Sequence, residues 1–260
     1  MERRRILRKK PLIEAILEVR WVLERGSSPQ LSRDPHYQFL LGKLFENVKT
    51  GFPHHEELPA ALVPAEMTPH TVHHRFRVAP NGWPLLQVGP GVFTFNETSN
   101  YEWENFERQI NKAVVALVRS HPKPEALQFE TLMLRYINAV PIDPATNLLG
   151  FLSEKMGTAL ELPNAIFQDG NVRSAPDRLA TEFVFPCAKP AGALQVKLST
   201  GSKEGQPALI FELWFISKGE HVPRVPQGFS DWAAAAHAVI EESFFHLIAG
   251  ELEKEFSDNA

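Results

Sequence analysis

The 260-residue sequence has a single cysteine, Cys187, so no disulfide can close within it. That usage suits a reducing compartment, and a cytoplasmic protein is expected. Cys187 sits beside Pro186 without a local motif, so it reads as a structural thiol and not a nucleophile. No apolar run approaches the roughly 20 residues of a membrane-crossing helix, so no membrane partner is expected. Phosphate-binding glycine patterns are missing as well. Gly89-Pro90-Gly91 matches neither G-x-G-x-x-G nor G-x-x-x-x-G-K-S/T, and it joins two strand-like segments instead of opening a helix. It reads as a tight turn. Zinc signatures are lacking too, although His54, His55, His70, His73 and His74 crowd one stretch. On a strand His73 and His74 point to opposite faces, so these are read as loop and edge-strand histidines. The sequence therefore predicts no catalytic residue, no metal and no cofactor.

What is present is ordinary globular material. Hydrophobic residues make up 43% and charged residues 22%, and 18 Phe with 5 Trp supply enough apolar bulk for a sizeable core. Charge is uneven. Residues 1–10 hold six basic side chains against Glu2 alone, whereas the whole chain is at −4, so the body is acidic. The apolar stretch after this head contains Glu14, Glu18 and Arg20, which excludes the core of an export signal. The head is read as a solvated basic arm, with phosphate contact to nucleic acid as the less favoured alternative because the acidic body opposes a polyanion.

Periodicity orders the rest. PLIEAILEVRW at 11–21 alternates as a strand, placing Ile13, Ala15, Leu17, Val19 and Trp21 on one face. From Pro35 to Phe52, Phe39, Leu40, Leu44 and Val48 recur at near-helical spacing, and a Pro- and His-bearing connector fills 53–70. Strands are expected near 71–79, 83–87 and 92–96. A helix follows in which Ser99 and Glu102 form an S-x-x-E capping box, and Trp103, Phe106, Ile110, Val114 and Leu117 make its buried stripe. The pattern then restarts: a strand at 127–140, a short helix at 147–160, strands near 177–185, 193–199 and 208–217, and a long helix capped by Ser230.

The fold expected is therefore α+β, with two related strand–helix–strands–helix halves, largely antiparallel sheet and long helices packed on one face. Its divisions are a basic arm at 1–10, a first half at 11–124 and a second at 125–260. EAILEVRW and ETLMLRYI set Glu14 against Glu130, and Trp103 and Trp232 both stand in first helical turns.

Polar residues among large apolar ones need partners. On the opening strands these are Glu14, Glu18 and Arg20, then Glu130, Arg135, Tyr136 and Asn138. They are candidates for a ligand or partner cleft at the seam between the halves, against an ion-pair network that locks the seam or a solvated sheet face. On the last helix, Phe244, Phe245, Ile248 and Leu252 exceed one stripe and are candidates for an interface with a protein partner or a second copy.

Four stretches in order, PLIEAILEVRW at 11–21, WPLLQVGPGVFTFN at 83–96, YEWENFERQI at 101–110 and LRYINAV at 134–140, resemble a sporadically distributed family of uncharacterised bacterial and archaeal proteins of this length. The resemblance implies genes that travel, such as defence or toxin–antitoxin loci, and assigns no catalytic residue. The function expected is a non-enzymatic binding or regulatory module for a protein partner. The alternatives are a small-molecule-binding protein or enzyme with a cleft between the halves, and nucleic-acid binding through the arm.

Overall fold

Alternation decides the first element. β1 (Leu12–Trp21) buries Ala15, Leu17, Val19 and Trp21, and turns Glu14, Ile16, Glu18 and Arg20 the other way. The computed structural model describes residues 7–26, 31–98, 101–168 and 170–257. After β1 come β2 (Glu24–Arg25), β3 (Ser32–Arg33), α1 (Tyr37–Val48), β4 (His54–Glu57), β5 (His74–Arg77), β6 (Leu85–Gly89), β7 (Val92–Glu97) and α2 (Trp103–Ser120). The remainder is β8 (Phe129–Pro141), α3 (Leu148–Met156), β9 (Ala180–Cys187), β10 (Gly192–Lys203), β11 (Gln206–Lys218), α4 (Phe229–Ile248) and α5 (Glu251–Ser257).

Among the described residues, nine strands make one antiparallel sheet in the order β4-β5-β6-β7-β1-β8-β11-β10-β9. The fold is thus mixed α+β, and the sheet runs unbroken through the junction of the two expected halves. β1 and β8 lie side by side at its centre, with Leu17 opposite Leu134. Directly opposed residues share a face, so Phe76, Leu86, Phe95, Leu17, Leu134 and Phe215 form one buried row across six strands. On the reverse face a parallel row reads Arg77, Leu85, Asn96, Ile16, Arg135 and Trp214.

The helices meet the buried face through named contacts. Phe45 of α1 lies 5.3 Å from Phe76, Phe106 of α2 lies 5.5 Å from Phe95, and Phe244 of α4 lies 5.9 Å from Phe211. Trp232 Nε1 donates to Ser217 Oγ at 2.9 Å. Between helices, Asn47 Nδ2 donates to Ser120 Oγ at 2.8 Å, and the Trp103 ring stacks on His237.

Several local expectations change. Phe39 is 68% exposed, because the inward stripe of α1 is Tyr37, Leu40, Leu44 and Val48 and leaves residue 39 on the outer side. β4 lies in the expected connector; its sequence HHEE lacks the apolar alternation that marks a strand. Gly228, not Ser230, is the N-cap of α4. The chain breaks at Gly250, whose φ of +111° a side chain would strain, so Leu252 stands on α5. Ser99 of the expected capping box lies outside the described residues, as do 1–6 of the basic arm; Glu102 is the N-cap of α2 but makes no side-chain cap. Within residues 7–10, Arg8, Lys9 and Lys10 are exposed and Leu7 is buried. Leu7 joins the core, and the Arg8 and Lys9 amides donate to Phe256 O of α5 at 3.0 and 2.9 Å.

Candidate ligand-binding site

On the helical side of the central strands lies a pocket of about 160 Å³. Its floor is Tyr136 and Asn138 of β8, placed there by strand alternation, since even-numbered β8 positions face the core. One wall is the start of α2 with Tyr101, Glu102 and Trp103. The opposite wall is one stripe of α4, with His237, Ile240, Glu241, Phe244 and Phe245; Lys10 and Leu12 close the entrance to β1.

A hydrogen-bond chain ties these walls together. Tyr101 Oη donates to Tyr136 Oη at 2.9 Å, and Tyr136 Oη lies 3.0 Å from His237 Nδ1. On the other side of the ring, His237 Nε2 lies 3.8 Å from Glu241 Oε2. Burial pushes the Tyr136 hydroxyl well above the usual phenol range, helped by Tyr101 and Glu241, so it remains a neutral donor. Trp103 and His237 stack with centroids 3.8 Å apart and planes 12° from parallel. Asn138 is 2% exposed and donates to Phe211 O at 3.3 Å. Lys10 Nζ donates to Tyr101 O at 2.8 Å and pairs with Glu102. The result is a mostly apolar recess with convergent polar groups, the usual composition of a binding site.

Of the residues singled out in the sequence, Tyr136 and Asn138 reach this pocket. Glu14, Glu18, Arg20 and Arg135 do not, because they belong to the reverse face. There Glu14 accepts from Asn96 Nδ2 at 2.7 Å, Asn96 accepts from Thr94 and Gln87, and Gln87 accepts from Arg75 Nε at 2.7 Å. Arg20 Nε donates to Glu18 at 2.6 Å on its own strand. Arg135 Nε donates to Glu212 at 2.8 Å, and its guanidinium lies 5.4 Å from the Trp214 ring. Each of these partners lies within one half, whereas one histidine–carboxylate contact does join the halves. Glu130 lies at the other end of β8, with His70 Nε2 at 3.4 Å.

The proposed interface divides as well. Phe244 and Phe245 line the pocket, whereas Ile248 and Leu252 are 0% exposed within this chain and cannot meet a partner. Packing against α5 and the rest of the core accounts for the apolar excess of the last helix. Sequence reading missed Lys10, Tyr101, His237 and Glu241. His237 carried a signal: it falls beside Ala233, Ala236 and Ile240 on a buried stripe, where an imidazole needs a partner. Among the described residues, no three His, Cys, Asp or Glu side chains are placed to hold a metal ion. No protein-family model matches the chain, and no curated protein matches it significantly.

Proposed function

We propose that the chain is a non-enzymatic binding module whose seam pocket receives one apolar or aromatic side chain of a protein partner. The observation that carries this is the recess walled by Trp103, Phe244 and Phe245 and braced by the Tyr101–Tyr136–His237 chain. At about 160 Å³ it is smaller than the roughly 300–1,000 Å³ of drug-sized ligand sites, and it suits a single anchoring group of the kind that dominates protein interfaces. A phenol held neutral far above neutral pH is a poor proton-transfer catalyst, which favours binding over chemistry. The four motif stretches that resemble a sporadic family support a partner encoded beside this chain, in a defence or toxin–antitoxin setting.

Co-expression with the product of the adjoining gene tests the reading. A complex should survive gel filtration at micromolar concentration and should weaken at least tenfold on Trp103→Ala. Separate elution of the two proteins would sink it. The second reading, a small free ligand in the same pocket, is favoured by the polar groups converging from Lys10, Glu102 and Glu241. Indole or phenol raising the melting temperature in the absence of partner would select it.

We also propose that 11–124 and 125–260 are copies of one unit, with their long helices on a common face. In support, each half places its opening strand beside its last strand and steps outward, β1-β7-β6-β5-β4 and β8-β11-β10-β9.

A further inference from the structure

Tyr37 opens α1 at 2% exposure, and among the described residues its hydroxyl is the buried side-chain atom with no hydrogen-bond partner. It lines a second pocket, of about 350 Å³, with Gln38, Leu62, Val63, His73 and His74. This pocket lies near the β4 end of the sheet, away from the seam, and is independent of the reading above. Its walls are flat rings: His73 meets Tyr37 edge-on at 5.6 Å, and His74 lies at 6.4 Å. The imidazoles are positioned by neighbours, His73 Nε2 by Thr68 Oγ1 at 2.8 Å and His74 Nδ1 by His55 Nε2 at 3.0 Å.

The charges acting on Tyr37 are negative. Burial raises its hydroxyl pKa first, and the carboxylates of Asp34 and Glu57 raise it further. Asp34 is engaged by Trp21 Nε1 and the Gly91 amide, whereas Glu57 is exposed at the edge strand, opposite His74 in the ladder. Burial lowers the pKa of His73 and His74, so both are neutral near pH 7 and do not repel a cation. Leu62, at 80% exposure, supplies an apolar rim.

We propose that this pocket binds an alkylguanidinium group. The Tyr37 oxygen accepts one N–H, Glu57 offsets the charge, the rings face the guanidinium plane, and the rim covers the alkyl stem. A guanidinium fits better than an ammonium because it is planar and more weakly hydrated. The two acids disfavour an anion.

Titration calorimetry at pH 7.5 with agmatine and with the peptide acetyl-Gly-Arg-Gly-amide tests this. Either probe should bind the native chain, and acetyl-Gly-Glu-Gly-amide should not. Binding by the peptide alone assigns the group to a protein; binding by agmatine assigns it to a free guanidine. Affinity should fall about tenfold in Tyr37→Phe and in Glu57→Gln. If Tyr37→Phe fails to fold, Glu57→Gln on the exposed edge strand decides. Silence from both probes, or affinity unchanged in the variants, overturns the proposal.

Discussion

Replacing Tyr136 by Phe removes one oxygen that serves two neighbours, and its effect can be worked out from the pocket. Tyr101 is half-buried and can turn its hydroxyl to solvent, so its lost bond costs little. His237 is 9% exposed, and its Nδ1 loses its Tyr136 partner in a place water reaches poorly. Removing one partner of a buried polar group costs about 1–3 kcal/mol. Tyr136→Phe should therefore lower unfolding free energy by about 2 kcal/mol, roughly thirtyfold in the unfolding constant. Tyr101→Phe removes the first bond alone and should cost only about 0.5–1 kcal/mol. Both changes delete the same Tyr101–Tyr136 contact, so the double variant should fall short of the sum by roughly 0.5–1 kcal/mol. Urea unfolding with an unchanged denaturant slope is the measurement. A loss within about 0.5 kcal/mol for Tyr136→Phe, or a larger loss for Tyr101→Phe, would refute the view that His237 depends on the Tyr136 hydroxyl.

Arg135→Ala strips the guanidinium from Glu212, whose side chain is 7% exposed and keeps Lys197 at 3.6 Å. With Arg135 itself about one-third exposed, the expected loss is about 2 kcal/mol of stability, with partner binding at the seam unchanged; a binding defect in a folded variant would contradict its place on the reverse face. Ile248→Ala should cost about 2–4 kcal/mol as a core truncation, while Phe39→Ser should stay within about 0.5 kcal/mol; chemical denaturation of both checks the burial assignment. Burial holds His73, His74 and His121 below the ordinary imidazole value of about 6.5, so below that pH the unfolded chain binds more protons than the folded one. Stability should then fall as pH drops from 6.5, and His121→Asn should flatten the slope in melts across that range; a native slope of zero or opposite sign would refute it.

The element order was legible because it depends on local period. β1, β7, β8 and the buried stripe of α2 sit close to their sequence estimates, since alternation and three-to-four spacing are strong over ten or more residues. β4 was hidden because HHEE carries no apolar partner for its ladder with β5. The site was half legible. Tyr136 and Asn138 stood out as polar residues on a core-facing strand, but Glu14, Glu18 and Arg135 shared the same logic and solve it on the opposite face. Which polar residue meets a cavity and which meets a neighbouring strand depends on what covers each face, and single-strand patterning holds no record of that. Lys10 illustrates the same limit: it read as part of a free arm, yet Glu102 and the Tyr101 carbonyl hold it at the pocket.

Strand parity constrains the proposed duplication and leads to a stoichiometry. β1 buries odd-numbered residues and β8 buries even-numbered ones, so copies of one strand must be related by an odd separation. Matching EAILEVRW to ETLMLRYI pairs Glu14 with Glu130, an even separation, and would exchange the two faces. Shifting by one residue aligns Ala15 with Leu132, Leu17 with Leu134, Val19 with Tyr136 and Trp21 with Asn138. Leu17 and Leu134 are directly opposed, as a two-fold axis normal to the sheet between them requires. Under that relation the first-half counterparts of the pocket floor are Val19, without a polar atom, and Trp21, whose Nε1 donates to Asp34 at 2.9 Å. The counterpart position therefore cannot build the Tyr–Tyr–His chain. One chain should take up one partner at the seam, and calorimetry of the complex should give a ratio of one; a ratio of two would show that the first half carries an equivalent pocket and would remove the basis for treating Tyr136 as its defining residue.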